Sequence, residues 1–119
     1  MRLRINGLGV DCIIGERPDE RERPQTLRVD AVLEIPDTVA GSDDLGDTVD
    51  YAALAERIRA ALAAAKCRMI ERAAKVAAET CLADPKVLAA TASVTKFGAV
   101  PGLESATAAY AAKKEERKE

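Results

Sequence analysis

The chain has 119 residues, 48% hydrophobic and 32% charged, with a formal net charge of -2. That length supports one hydrophobic core and no second, and a balance this close to neutral describes an ordinary soluble protein and does not indicate the basic surface of a nucleic-acid binder. Histidine is absent, which removes the commonest general base and metal ligand and every Ser/His or Cys/His nucleophile pair, so Lys, Tyr, Glu or Asp must move the protons of any active site.

Residues 2–14 alternate in two phases. Leu3 and Ile5 share one side, Leu8, Val10, Cys12 and Ile14 follow after a switch, and Gly7 lies between. This predicts one bulged strand. The stretch GERPDERERP, Gly15 to Pro24, is too charged and proline-marked for a strand centre and reads as a solvated hairpin loop. From Gln25 a second strand is clear: Leu27, Val29, Ala31, Leu33 and Ile35 lie on one face, Thr26, Arg28, Asp30 and Glu34 on the other, and Pro36 ends it.

Residues 37–49 read as a polar connection, and Asp50 is an N-cap for a helix beginning near Tyr51. Leu54, Ile58, Ala61, Leu62 and Ala65 give that helix an apolar stripe suited to lying on a sheet. A second helix starts near Ile70, carries Ala73, Ala74, Ala77 and Cys81 on one face, and stops before Asp84 and Pro85. A strand over 87–96, an irregular turn TKFGAVPG, a weakly patterned strand over 104–112 and a frayed charged tail KKEERKE complete the chain. The order is ββααββ. It predicts an α+β domain over residues 1–112, with an antiparallel four-stranded sheet covered on one face by two helices, followed by the tail 113–119.

Cys12, Cys67 and Cys81 are scattered and odd in number, matching neither a disulfide framework nor zinc-ligand spacing, and read as buried small hydrophobes. The opening MRLRINGLGV has no signal-peptide pattern, and no apolar run reaches bilayer length, so the expected location is the cytoplasm and no membrane partner is expected.

Singly, Lys96 is a strand-end lysine, Glu71 a helix-start carboxylate favoured by the macrodipole, and Tyr51 a helix-start aromatic. Together they put acid–base groups at element termini, where rigid structure holds them yet leaves them accessible. Their surroundings resemble the dihydroneopterin aldolase family over nearly the whole chain. IIGERPDERERPQTL is similar to the family's isoleucine–glycine, acidic loop and glutamine-led second strand. SDDLGDTVDYAALAE resembles its serine–aspartate–aspartate, aspartate–threonine and tyrosine block, IERAAKVAAE its second-helix opening, and TKFGAVPG its lysine–proline–glycine–alanine segment. Two segments depart from the pattern: Phe97 stands where proline is usual, and Ser105 to Ala112 is alanine-rich where the family has valine and isoleucine.

The resemblance implies a T-fold, whose subunits join their sheets into rings, tetramers or octamers, with a flat heterocycle bound between neighbours. It implies that Glu71 holds the pterin with backbone help at Ile70, that Lys96, Tyr51 and a loop glutamate near the substrate side chain are catalytic, and that Tyr51 and that glutamate also contact the substrate. Glu20 fits that place with an ungapped offset from Gly15 and Gln25, and Glu22 competes for it. The implied reaction is retro-aldol cleavage of 7,8-dihydroneopterin to glycolaldehyde and 6-hydroxymethyl-7,8-dihydropterin, with no metal, cofactor or Schiff base. Two alternatives share these motifs: 2′-epimerisation of dihydroneopterin or its triphosphate, and a non-catalytic pterin- or purine-binding T-fold module.

Overall fold

The sheet carries the core on one of its two faces, because buried apolar residues recur at every second position along its two central strands. The computed structural model describes residues 1–115. Strand β1 spans Arg2–Cys12, β2 Gln25–Glu34, β3 Ala89–Val100 and β4 Leu103–Lys113, in one antiparallel sheet of order β1-β2-β3-β4. Leu27, Val29, Ala31 and Leu33 of β2 are buried, as are Ala90, Ala92 and Val94 of β3. Helices α2 (Tyr51–Ala65) and α3 (Ile70–Leu82) cover that face with Leu54, Ile58 and Leu62 from one and Ala73, Ala74, Ala77, Ala78 and Cys81 from the other. The alanine face lets α3 lie close against the sheet. Ala65, expected on the apolar stripe, is exposed at the end of α2.

The phase switch in β1 is a bulge: Ile5 faces Ala31 and Leu8 faces Val29, so β1 carries one extra residue. Gly7 takes φ +72 there and its N–H donates to Asp30 Oδ1 at 2.7 Å. Asp50 caps α2 by accepting from Ala53 N at 3.2 Å. Lys66 closes that helix in the left-handed region, and Glu71 lies in the first turn of α3.

Three expectations need correction. The connection 37–49 contains a short helix, α1 (Thr38–Ser42), and a 3-10 turn over Leu45–Asp47. Neither buries a residue, so neither leaves an apolar period in the sequence. The segment TKFGAVPG is not an irregular turn. β3 continues to Val100 through a second bulge, where Phe97 faces Ser105 and Val100 faces Leu103 with Gly98 at φ +66. Only Pro101 and Gly102 turn the chain, with proline first and a positive-φ glycine second. Lys96 is therefore inside a strand, opposite Ala106, rather than at its end. The alanine-rich β4 pairs along its length, and its Ala108 and Ala112 pack against the core. At the tail, Lys113 still pairs with Ala89 and Lys114 Nζ donates to Asp84 O at 2.9 Å; residues 116–119 lie outside the described residues.

Candidate functional site

The sheet splits at one end. Pairing of β1 with β2 runs out to Cys12 opposite Gln25, whereas pairing of β2 with β3 stops at Arg28 opposite Thr95. Beyond that point the β3–β4 hairpin leaves the β1–β2 hairpin. Lys96 is the first residue of β3 past the split.

The charged loop 15–24 folds back across the opening. Lys96 Nζ donates to Glu20 Oε2 at 2.6 Å, with only 14% of the lysine and 9% of the glutamate side chain exposed. The same carboxylate accepts from Gln25 Nε2 at 3.1 Å and from Arg17 N at 3.3 Å, with the Arg17 guanidinium also at 3.3 Å. Bonding by Lys96, then Gln25, holds the Glu20 carboxyl well below its ordinary 4.5, at about 2, against the opposing effect of burial. Gly15 makes room for this. It adopts φ +123, and a Cβ there would run into the Glu20 carboxylate. Of the two loop carboxylates, Glu20 is thus the one brought to Lys96, while Glu22 is exposed. Both line an open cleft of about 460 Å³ with Arg17, Asp19, Arg23 and Gln25.

The loop is also fastened to the helices. Arg21 donates through Nη1 to Gly15 O at 3.1 Å and Cys67 O at 3.2 Å, and through Nη2 to Lys66 O at 2.8 Å. Gly15 N adds a bond to Cys67 O at 3.3 Å. The segment leaving Cys67 opens α3 at Ile70, half-buried against the core, and Glu71, exposed in the first turn. Glu20, Lys96, Ile70 and Glu71 accordingly belong to one end of the molecule.

Tyr51 does not. It starts α2, whose far end at Lys66 is the one that Arg21 holds. Fifteen helical residues separate the two ends by about 22 Å. Tyr51 is 65% exposed and lines a separate cavity of about 300 Å³ with Leu3, Leu45, Thr48, Val49 and Asp50. A larger cleft of about 640 Å³, between Arg57 of α2 and Arg72, Val76 and Thr80 of α3, contains none of these groups.

Reasoning from the sequence missed Arg17, Arg21 and Gln25 as partners of the site. Both arginines read as part of a solvated charge run, and two of the three carbonyls that Arg21 holds lie 45 and 46 residues away in the chain. The cysteines are buried thiols, as expected. Burial pushes Cys12 and Cys81 up to about 11 and raises Cys67 as well. No helix among the described residues is long and apolar enough to cross a membrane.

Comparison with known proteins bears on these features. The family model FolB, described as dihydroneopterin aldolase, matches residues 3–111. A Streptomyces coelicolor dihydroneopterin aldolase is 37% identical over 83 residues, 68% of this chain and 69% of that protein. Among solved structures, an Escherichia coli dihydroneopterin aldolase in complex with neopterin superposes with a TM-score of 0.86 at 26% identity, covering 94% of this chain and 98% of that one. A Vibrio cholerae protein of the same description gives a TM-score of 0.88 at 24% identity over 96% of this chain and 98% of that one, which extends the likeness of fold. A Burkholderia counterpart bound to guanine gives 0.79 at 21% identity over 97% and 92%.

Proposed function

We propose, from the premise that the chain belongs to the dihydroneopterin aldolase family, that it cleaves 7,8-dihydroneopterin to glycolaldehyde and 6-hydroxymethyl-7,8-dihydropterin by a retro-aldol reaction. The observation that carries this reading is the Lys96–Glu20 pair, held at 2.6 Å in the split of the sheet, at the same end as the carboxylate of Glu71. It is an acid–base pair in a chain with no histidine.

Glu71 accepts two adjacent N–H groups of the pterin, a two-pronged arrangement worth about 1.5–3 kcal/mol per charged hydrogen bond, and Ile70 adds backbone contacts. Lys96, paired with Glu20 as an ammonium, first gives up one proton to solvent and then, as the free amine, takes the proton of the C2′ hydroxyl directly or through water. The C1′–C2′ bond breaks, its electrons pass into the ring carbon–nitrogen double bond, and glycolaldehyde leaves. Glu20 stabilises the ammonium that proton abstraction restores on Lys96. No metal or Schiff base enters these steps, because the ring itself accepts the electrons.

Tyr51 delivers the proton that quenches the enol-like carbon, and it comes from a second copy of the chain. The separation of about 22 Å along α2 supports this division, since one protomer cannot bring its own Tyr51 to its own Lys96 without dismantling that helix. β1 and β4 are the two edges of the sheet, each 11 residues long, and edges of that length favour pairing with another copy. A closed ring, a tetramer or two stacked into an octamer, satisfies both edges.

The test is the product mixture from purified protein and 7,8-dihydroneopterin. Stoichiometric glycolaldehyde and 6-hydroxymethyl-7,8-dihydropterin support the aldolase; recovery of the 2′-epimer as main product would assign an epimerase, and unchanged substrate a binding module.

A further inference from the structure

Arg21 stands next to Glu20 in the chain, and its guanidinium is bonded to three backbone carbonyls. Two of these, Lys66 O and Cys67 O, belong to the turn that leads into Ile70 and Glu71; the third, Gly15 O, belongs to the start of the Glu20 loop. Lys66 is in the left-handed region at φ 45 and ends α2, so its carbonyl lies at the negative end of the helix dipole, where a cation is favoured. A guanidinium presents donors in a rigid planar fork, which a lysine ammonium cannot reproduce.

We propose that Arg21 is a positioning residue that fixes the Glu20–Lys96 pair relative to the pterin-holding start of α3. The proposal rests on the functional reading above. Glu20 rides on the loop and Glu71 on the helix, and Arg21 bonds both supports at once through three hydrogen bonds. Two weaker ties also join them, the single bond from Gly15 N to Cys67 O at 3.3 Å and an exposed ion pair of Arg68 with Glu16 at 3.9 Å. The substrate spans the same two supports, with its ring on Glu71 and its reacting side chain at Lys96. Slackening the tie leaves each contact possible but misaligns the two, and a displacement of about 1 Å at a reacting centre costs roughly 10²-fold in rate.

The experiment compares wild type, Arg21→Gln and Arg21→Lys by steady-state kinetics with 7,8-dihydroneopterin, calorimetry with neopterin, thermal melting, and carboxylate NMR titration of Glu20. Positioning predicts that kcat of Arg21→Gln falls about 10²-fold while neopterin affinity of the folded protein stays within about threefold. Arg21→Lys keeps the charge without the fork and shows a large part of the same loss. In both variants the Glu20 carboxyl titrates closer to 4.5 than its value of about 2 in the wild type, because the loop no longer seats it against Lys96. If Arg21→Gln fails to fold, Arg21→Lys carries the comparison. Wild-type kcat in either folded variant overturns the proposal, as does a loss of activity that tracks only the loss of folded protein. Inactive wild type would overturn the aldolase reading instead, and the Glu20 titration would still decide the role of Arg21: an unmoved value rejects it, a raised one supports it.

Discussion

Replacing Lys96 by alanine separates the structural from the chemical share of the buried ion pair. The change leaves Glu20 with 9% of its side chain exposed and with Gln25 Nε2 at 3.1 Å and the Arg17 amide and guanidinium, both at 3.3 Å, as remaining partners. Breaking a fully buried pair on one side costs about 3–5 kcal/mol, while an exposed pair is worth under about 1 kcal/mol. Lys96 is 14% exposed and Glu20 keeps other donors, so the loss falls between these, about 2 kcal/mol. For a domain of this size that is roughly 6–12 °C in melting temperature. The chemical loss is larger. A general base contributes about 10²–10⁴-fold, so glycolaldehyde release in quenched-flow experiments drops at least 10²-fold, to the point of abolition, while pterin affinity by calorimetry stays within about tenfold. Turnover near that of the wild type would remove Lys96 from the mechanism, and an unchanged melting temperature would refute the energetic reading of its bond to Glu20.

Glu71→Gln weakens pterin binding by about 1.5–3 kcal/mol, the range for a charged hydrogen bond; unchanged affinity in calorimetry takes Glu71 out of recognition. Glu20 makes stability depend on acid. Its carboxyl is held at about 2 against an ordinary 4.5, so the stabilisation is complete above pH 4.5 and disappears as pH falls towards 2. Denaturant titrations of Glu20→Gln across that interval show a flatter pH dependence than wild type, and superimposable curves would contradict the ion-pair account. Tyr51→Phe retains the ring and loses the proton, so glycolaldehyde release outpaces formation of 6-hydroxymethyl-7,8-dihydropterin in single turnovers; equal yields at wild-type rate reduce Tyr51 to a pocket wall.

The strand and helix pattern was legible where burial is one-sided. The apolar alternation of β2, the phase switch at Gly7 and the Asp50 cap each express a local physical need, and each is found where the residues indicate. The short helix α1 buries nothing, so no period could announce it. Gly98 carried a double meaning, since a positive-φ glycine serves a bulge as well as a turn, and the strand continues through it. At the site, Glu20 was separated from Glu22 only by an offset in the sequence, whereas in the fold one is buried on Lys96 and the other is exposed. The distance of Tyr51 from Lys96 follows from the direction of α2 across the sheet, which residue types do not encode. Arg21 was lost in a charge run because its partners are backbone carbonyls, and those have no sequence signature.

The claim most exposed to refutation is that the site is completed between copies, with Lys96, Glu20 and Glu71 from one protomer and Tyr51 from its neighbour. Mixing Lys96→Ala with Tyr51→Phe subunits, after dissociation and reassembly, tests it through formation of 6-hydroxymethyl-7,8-dihydropterin, which neither variant supports alone. Random reassembly of equal amounts into a ring pairs an intact Lys96 with an intact neighbouring Tyr51 at about a quarter of the interfaces, so the mixture recovers about that fraction of wild-type product formation. A mixture no more active than the two variants measured separately would show that both residues act from one chain, or that Tyr51 takes no part, and would contradict the shared site.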